Sequence, residues 1–141
     1  MTTVIHPYSL RMANVFLLEN ERGLMLIDAG MPGDDQQIIR FINQTSRKEL
    51  RLIFITHAHL DHYGALGRLS RATGAPVAIH RADAAAMSTG ETGLGSPRGR
   101  GLVLAAIFPL ARKLFPLEPV TADLFADDGQ DLTAFGFPAR I

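Results

Sequence analysis

Cysteine is absent from this chain of 141 residues, which excludes disulfide bonds, cysteine-liganded zinc sites and a thiol nucleophile. Net charge is absent too, because 14 basic residues balance 14 acidic ones. Proteins that wrap nucleic acid or coat a membrane usually carry an excess of one sign, so neither partner is expected. Long apolar runs are also missing: the longest is Leu102–Leu110, whereas a membrane-spanning helix needs about 20 residues.

The length and the apolar content suit one folded domain, residues 1–141. Apolar residues make up 47% of the chain and charged residues 20%, a balance that excludes disorder as a global description. A chain of this size buries enough surface to form a hydrophobic core. The first ten residues include His6 and Pro7 and no long apolar run, so no signal peptide is expected. The resulting expectation is a soluble, cytoplasmic protein.

Strand and helix patterns alternate from the N-terminus. The apolar runs Asn14–Leu18 and Leu24–Ile27 predict a hairpin whose turn places Gly23 at positive φ. Helical spacing of apolar residues predicts a helix from Asp34. The remaining predictions are a first strand (Thr2–His6), a buried strand (Leu52–Thr56), a helix stopped by Gly74 (about Asp61–Ala72), a short strand (Pro76–Ile79) and a short helix (Arg81–Met87). This order predicts an α/β fold in which helices cover a sheet.

The C-terminal part of the chain is less regular. Glycine-rich Ser88–Gly101 predicts a loop, without the signature of a phosphate-binding one. Leu102–Phe115 has the apolar spacing of a helix, with a kink predicted at Pro109. The apolar face of this helix lies next to the pair Arg112–Lys113. It is predicted to pack on its own domain, with a membrane or a partner as the alternative. Asp131–Ile141 predicts a strand, a glycine turn and the start of another strand.

One dense group of reactive side chains ends the predicted buried strand. Residues 56–62 read Thr-His-Ala-His-Leu-Asp-His and contain three of the five histidines. His57 and His59 share a face in extended chain, because side chains alternate with a period of two. Asp61 and His62 begin the following helix and leave the backbone at a different angle. This arrangement suits two neighbouring metal ions, one on His57 and His59 and the other on Asp61 and His62.

Each of these residues alone has a plainer interpretation. Asp61 at a helix start would normally be an N-cap, and a single histidine would normally be a core or surface residue. Clustered imidazoles, however, suffer desolvation and mutual repulsion unless a bound cation keeps them neutral. Imidazole and carboxylate ligands favour a divalent transition metal, zinc first, with iron or manganese as alternatives.

The segment Thr56–Gly64 resembles the HxHxDH signature of the metallo-β-lactamase-fold hydrolases. Asn14–Glu19 and Leu26–Gly30 are similar to the opening hairpin of that superfamily. The resemblance implies a fold of two similar βα halves, an αββα sandwich, of which this chain would be the N-terminal half. The chain is therefore expected to be truncated before the C-terminal half.

The same resemblance implies roles for individual residues. His57 and His59 match ligands of the first metal, and Asp61 and His62 match ligands of the second. Asp61 would also orient the attacking water, which makes it the predicted catalytic residue. Asp28 matches a carboxylate that stands beside the metals and supports their ligands; its plainer interpretation is the polar end of a strand before a glycine turn.

Three functions are compatible with this resemblance. The favoured one is a metal-dependent hydrolase, in which a metal-activated water attacks an ester, thioester, lactone or lactam bond of a small molecule. The second is a single-iron oxidoreductase acting on sulfur compounds. The third is a half-domain that binds metal and self-associates without turnover. No histidine follows His80, so each metal has two ligands from this chain, and a fragment, a completing partner or a vestigial site would each explain this.

A homodimer is also expected. One half of the sandwich alone would leave a sheet face bare, yet Asn14–Leu18 and Leu52–Ile55 are apolar on both faces, as in strands covered on both sides. A symmetric pair of chains is the commonest way to cover such a patch. The competing arrangement is a monomer in which the helix Leu102–Phe115 folds over the bare face.

Overall fold

Six strands form one mixed sheet. The structure, a computed structural model, describes residues 2–92, 101–114 and 116–141, without the side chains of residues 101–105, 111 and 112. The elements are β1 (Val4–Ser9), β2 (Asn14–Asn20), β3 (Gly23–Ile27), α1 (Asp35–Thr45), β4 (Leu50–Ile55), α2 (Leu60–Tyr63), α3 (Leu66–Thr73), β5 (Val77–His80), α4 (Ala84–Thr89), α5 (Gly101–Leu114), β6 (Leu124–Ala126) and a 3₁₀ helix (Thr133–Phe135). The strands lie side by side in chain order; β1 to β3 are antiparallel neighbours, and β3 to β6 are parallel neighbours.

Helices α1 to α4 cover one face of the sheet and form the larger core with it. Ile38 of α1, Leu66 of α3 and Met87 of α4 are fully buried against it. Each such side chain stabilises the fold by roughly 1.5–3 kcal/mol. The strand residues in this core are Val15, Leu17, Leu24, Leu26, Ile53, Ile55, Val77 and Ile79. The predicted α/β fold is therefore confirmed.

The N-terminal strands follow the prediction with one extension. β2 and β3 pair as a hairpin, and Gly23 has a φ of +143°. β1 runs on to Ser9, beyond the predicted Thr2–His6. Pro7 is tolerated inside it because β1 is the edge strand, and one of its sides has no ladder to join.

The predicted helix Asp61–Ala72 is two helices, α2 and α3. The chain breaks at Gly64, whose backbone N–H donates to Gly30 O at 2.8 Å. A long-range contact therefore ends the first helix after one turn. Gly74 then stops α3 in the left-handed conformation, as predicted (φ +70°).

Two boundaries further along the chain also differ from the prediction. The helix predicted at Arg81–Met87 is shifted to Ala84–Thr89, because a turn follows β5 first. The loop predicted at Ser88–Gly101 therefore begins later, after the left-handed cap at Gly90. Residues 93–100 of that predicted loop lie outside the described residues. β6 was not expected.

The opposite face of the central strands is covered by the C-terminal segment, which corrects the expectation of a bare face. Leu132 and Phe137 are buried beside Met25, Leu52 and Phe54. The cover is therefore this segment and not α5. Exposed large apolar side chains of the described sheet remain on β1, β2 and β6, at Val4, Ile5, Phe16 and Phe125.

The strand–turn–strand predicted at Asp131–Ile141 is wrong except for its turn. The segment contains a 3₁₀ helix and a single bridge between Asp131 and Arg140. The two ends of the segment do meet, since Leu132 N–H donates to Ala139 O at 2.9 Å and Ile141 N–H donates to Gln130 O at 3.1 Å, but the pairing is limited to that one bridge. The glycine turn is present at Gly136, with φ +92°.

The predicted helix Leu102–Phe115 is observed as α5, which continues through Pro109. Ile107, Leu110 and Leu114 are 54%, 61% and 65% exposed. The prediction that this face packs on its own domain is thus wrong for these three side chains. None of the helices in the described ranges is long and apolar enough to cross a membrane.

Candidate metal centre

The carboxyl ends of β3 and β4 place the predicted site residues next to each other. Asp28 directly follows β3, and Thr56 and His57 directly follow β4. The two strands are parallel, so their carboxyl ends meet at one edge of the sheet. Asp28 N–H still donates to Phe54 O at 2.8 Å, which holds the two strand ends in register.

A tight turn carries the histidine segment from β4 into α2. His59 N–H donates to His57 O at 3.0 Å, and His59 O accepts from the N–H groups of His62 and Tyr63. His59 is therefore the N-cap position of α2, and Asp61 lies inside the helix. This position counts against the plainer interpretation of Asp61 as an N-cap.

Three side chains hold this turn in place: Asp83, Thr92 and Tyr63. Ala58 N–H donates to Asp83 Oδ1 at 3.2 Å, and Leu60 N–H donates to Thr92 Oγ1 at 3.0 Å. Tyr63 is buried, and its hydroxyl donates to the backbone oxygen of Glu91 at 2.6 Å. The backbone of the site is thus held from the chain segment that precedes α5.

The four predicted ligand residues form two facing pairs. His57 Nε2 lies 3.1 Å from His59 Nδ1, and His62 Nε2 lies 3.5 Å from Asp61 Oδ2. Zinc–nitrogen and zinc–oxygen bonds of about 2.0–2.2 Å in tetrahedral geometry separate two ligand atoms by about 3.3 Å. Both pairs are close to that separation. The rings of His57 and His62 are 4.1 Å apart between centroids, so the pairs are neighbours.

Each pair supplies two ligand atoms and no more. Across the part of the chain that the structure describes, no three His, Cys, Asp or Glu side chains are grouped so that they could hold a metal ion. The donor types and the spacing within each pair fit zinc, while a catalytic zinc site normally has three protein ligands.

Asp28 orients one histidine of each pair. Its Oδ2 lies 2.9 Å from His62 Nδ1, and both of its oxygens lie within 3.0 Å of Thr56 Oγ1. A carboxylate only accepts, so His62 carries its proton on Nδ1 and the Thr56 hydroxyl donates to Asp28. The Thr56 oxygen then accepts from His57 Nδ1 at 3.0 Å. Nε2 of His57 and of His62 is left with a lone pair, as metal binding requires.

Thr56 is the residue that sequence reasoning missed. It is the first residue of the segment Thr56–Gly64, and the pattern alone gives it no role. The backbone N–H of Thr56 also donates to Asp28 Oδ1 at 2.8 Å. This carboxylate oxygen therefore accepts from both the N–H and the hydroxyl of Thr56. A polar β-branched residue between an apolar strand and a histidine was the signal available in the sequence.

The backbone at Asp28 is unusual. Its φ of +64° is the one positive value among the described non-glycine residues, and the residue is 4% exposed. Aspartate tolerates the left-handed region better than most residues. The turn that follows is tied to α2, since Ala29 N–H donates to His62 O at 2.6 Å. The supporting carboxylate and the ligand-bearing helix therefore form one hydrogen-bonded unit.

The electrostatics favour a neutral ring at His57. Partial burial lowers the pKa of His57, and the nearby rings of His62 and His59 lower this pKa further. His57 is therefore neutral at physiological pH, the state in which an imidazole binds a metal.

The family model of the metallo-beta-lactamase superfamily matches residues 8–139 of the chain. The chain belongs to the metallo-β-lactamase superfamily. The predicted resemblance is thereby confirmed. Asp28 and the segment Thr56–His62 lie within the matched range.

Two curated relatives are hydrolases by name. The probable metallo-hydrolase YflN of Bacillus subtilis is 32% identical over 81 residues, which cover 54% of this chain and 31% of that protein. The hydroxyacylglutathione hydrolase of Albidiferax ferrireducens is 35% identical over 63 residues, covering 45% of this chain and 23% of that protein.

Solved structures of the superfamily share the fold. A metallo-β-lactamase of Cronobacter sakazakii with a HARLDQ motif is 30% identical, with a TM-score of 0.68 over 89% of this chain and 44% of that one. The subclass B3 enzyme BJP-1 of Bradyrhizobium japonicum has a TM-score of 0.69 at 23% identity over 89% and 43%. Residues 57–62 read HAHLDH here. The matched segment covers less than half of each of these four proteins.

Proposed function

We propose that the protein is a metal-dependent hydrolase in which water attacks an ester, thioester, lactone or lactam bond of a small molecule. The observation that carries the proposal is the pairing of ligand atoms, His57 with His59 and Asp61 with His62, at tetrahedral zinc spacing. Asp28 behind two of these residues supports it. The relative named as a hydroxyacylglutathione hydrolase supports an acyl compound as substrate.

Each side chain has a separate task in this proposal. His57 and His59 hold one divalent metal ion, zinc first with iron or manganese as alternatives, and Asp61 and His62 hold a second. A bound metal lowers the pKa of a coordinated water toward about 7 and polarises the carbonyl under attack. Asp61 is partly exposed, so the carboxylate oxygen not aimed at His62 can accept a hydrogen bond from water and orient it. Asp28 keeps the proton of His62 on Nδ1 throughout.

Metal content tests the proposal. We expect the purified chain to bind zinc, and the double variant His57→Ala/His59→Ala to lose the metal of that pair, as measured by elemental analysis after dialysis. The matched control is His6→Ala/His80→Ala, which removes the two histidines outside the cluster and should leave zinc content unchanged. Equal zinc in the cluster variant and the wild type would refute the assignment.

Turnover is expected to be very slow or absent in the 141-residue chain itself. Two ligands per metal leave each ion held more loosely than a catalytic site requires. Hydrolysis of thioester, lactone and lactam substrates, measured with and without chelator, checks this. Robust chelator-sensitive turnover would show that a further ligand is recruited, whereas iron with oxygen uptake would favour the oxidoreductase alternative.

We also propose that the chain forms a homodimer through the outer sheet face at β1 and β2. Cross-strand pairing puts Ile5 beside Leu18 and Pro7 beside Phe16 on that face, and Ile5 and Phe16 are exposed. A two-fold axis would let this apolar patch cover itself. Light scattering coupled to size exclusion should give about twice the 15.3 kDa chain mass; a single species at the chain mass would rule the dimer out.

A further inference from the structure

Two helices beside the candidate metal centre begin at residues whose side chains do not cap them. His59 is the N-cap residue of α2 and Asp83 is the N-cap residue of α4, and neither side chain hydrogen bonds to its own helix. Aspartate is one of the preferred N-cap residues because its carboxylate normally accepts from the first turn of its own helix. The carboxylate of Asp83 is directed instead to the histidine segment, Thr56–His62.

The bond from the histidine segment to Asp83 lies between two candidate ligands. Ala58 N–H donates to Asp83 Oδ1 at 3.2 Å, and Ala58 itself is buried. This N–H belongs to the peptide group that joins His57 to Ala58, whose oxygen accepts from His59 N–H at 3.0 Å. Because a peptide group is planar, a partner on its N–H also fixes the direction of its carbonyl. Asp83 therefore holds the backbone that carries both rings of the pair His57 and His59.

Thr92 supplies an acceptor to the first turn of α2. The first N–H groups of a helix have no partner within it, and an N-cap side chain normally accepts from one of them. The ring of His59 faces His57 as a candidate ligand, so it does not serve in this way. Leu60 N–H donates to Thr92 Oγ1 at 3.0 Å instead. Thr92 is 8% exposed, and burial of its hydroxyl without a hydrogen bond would be unfavourable.

The fold explains why these two residues reach the histidine segment. β4 and β5 are parallel neighbours, so their carboxyl ends meet at one edge of the sheet. The histidine segment follows β4, and Asp83 follows β5 after a turn. Glu91, next to Thr92, accepts from the Tyr63 hydroxyl through its backbone oxygen. The segment Asp83–Thr92 thus contacts the ligand-bearing turn at three points.

We propose that Asp83 and Thr92 are positioning residues of the metal centre. Neither is a ligand in this assignment. Each holds a backbone N–H beside the ligand residues, so that the ligand atoms keep their spacing before a metal ion binds. A site arranged in advance loses less entropy on binding and binds more tightly. The inference rests on the proposed metal binding, and it adds two residues that lie 25 and 32 positions after their partners in the chain.

Zinc affinity, measured by competition with a chromogenic chelator, tests the proposal. Asp83→Ala and Thr92→Val each remove one acceptor and should weaken zinc binding about tenfold, the lower end of the range for supporting contacts, because they act through the backbone. Asp83→Asn and Thr92→Ser keep an oxygen acceptor and should bind zinc as the wild type does. If Asp83→Asn bound zinc as weakly as Asp83→Ala, the charge of Asp83 and not its hydrogen bond would be responsible, which would overturn the proposal for this residue.

Two control variants separate positioning from general destabilisation. Asp123 Oδ2 accepts from Val77 N–H at 2.8 Å, and Thr73 Oγ1 accepts from Ala75 N–H at 3.3 Å. Each matches one of the proposed contacts in chemistry, but both lie at the amino end of β5, away from the histidine segment. Asp123→Ala and Thr73→Val should lower the urea midpoint and leave zinc affinity unchanged. Equal losses of zinc affinity in the control and test variants would overturn the proposal.

Nuclear magnetic resonance adds a readout on the zinc-free chain. With Asp83→Ala, the amide of Ala58 should exchange its hydrogen faster and the ring signals of His57 and His59 should shift, whereas Asp123→Ala should change neither. Unchanged zinc affinity in Asp83→Ala and Thr92→Val, while the wild type binds zinc, would overturn this inference and leave the proposed metal binding intact. A wild type that binds no zinc would refute the metal binding, and the inference with it.

Discussion

Two histidine–aspartate contacts lie at the same edge of the sheet. They differ in distance, in the burial of the carboxylate and in the hydrogen bonds around it. His62 Nδ1 is 2.9 Å from Asp28 Oδ2, and His80 Nε2 is 3.3 Å from Asp128 Oδ1. The carboxylate of Asp28 is buried, whereas that of Asp128 is fully exposed. A hydrogen bond to an exposed carboxylate competes with water, whereas the same bond to a buried carboxylate does not and is stronger.

The two contacts also differ in the further hydrogen bonds that their side chains make. Asp28 accepts from the backbone and the hydroxyl of Thr56 as well as from His62, which fixes its position. The other nitrogen of His80 accepts from Ala82 N–H at 3.2 Å, so this ring caps its own turn. The difference teaches that a histidine–aspartate contact indicates a site only where the carboxylate is held from several directions and the remaining nitrogen is free for a ligand.

Removing the charge of Asp28 should have the largest effect of the substitutions considered, and the quantity it lowers is the affinity for zinc. Asp28→Asn keeps a residue that tolerates positive φ but takes away one acceptor, so His62 or Thr56 loses its partner. Loss of such a supporting contact typically lowers metal affinity ten- to a hundredfold. We expect a decrease in that range for zinc, measured by competition with a chromogenic chelator.

The exposed counterpart supplies the control for that substitution. Asp128→Asn removes the same charge from the other contact and should leave zinc affinity within experimental error. Similar affinities for wild type and Asp28→Asn would mean that the buried carboxylate does not orient the ligands.

A second substitution tests whether the turn after Asp28 depends on its packing against α2. Gly64 has helical φ, so only space excludes a side chain there: an added Cβ would overlap Pro32 and Leu60 O. These are ring and backbone atoms that cannot move aside. Gly64→Ala should destabilise the fold by about 1–3 kcal/mol, despite the better helix propensity of alanine, as measured by urea unfolding.

Gly67 in α3 provides the matched glycine. A Cβ there would meet the carboxylate of Glu118, the flexible end of an exposed side chain that can swing away. Gly67→Ala should therefore change the free energy of unfolding much less. If the two variants were equally stable, close packing between the Asp28 turn and α2 would not matter for the fold.

The residues of the site could be predicted because their signal is local. A buried strand, a period of two and a helix start are all encoded within Leu52–His62, and they place three histidines and an aspartate together. Asp28 was found through the family resemblance. Its hydrogen bonds to Thr56 join residues 28 positions apart, and no local pattern encodes such a distance.

The predictions that failed did so where distant contacts decide the local structure. Gly64 donates to Gly30 and splits one expected helix into two. Leu132 and Phe137 fall in the strand–turn–strand predicted for Asp131–Ile141, but they are buried against β3 and β4 from a loop. Ile107, Leu110 and Leu114 of α5 were expected to be buried because apolar periodicity normally faces a core. Their exposure could be learned only from the structure.

The smallest predicted effect lies beside the exposed contact, in the ion pair of Arg81 with Asp127. The guanidinium hydrogen bonds to both carboxylate oxygens at 2.9 Å and lowers the pKa of Asp127. A lowered folded pKa means that the pair contributes stability above the unfolded pKa of aspartate, about 3.9, and loses it as the pH falls through the lower folded value. Both side chains are largely exposed, so solvent and salt screen the attraction. Asp127→Asn should therefore shift the urea midpoint slightly at pH 7 and by less as the pH falls toward the folded pKa, and the shift should disappear in 1 M salt. A shift that grew toward acid, or that persisted in high salt, would mean that the pair of Arg81 and Asp127 is shielded from solvent as the buried contact of Asp28 is.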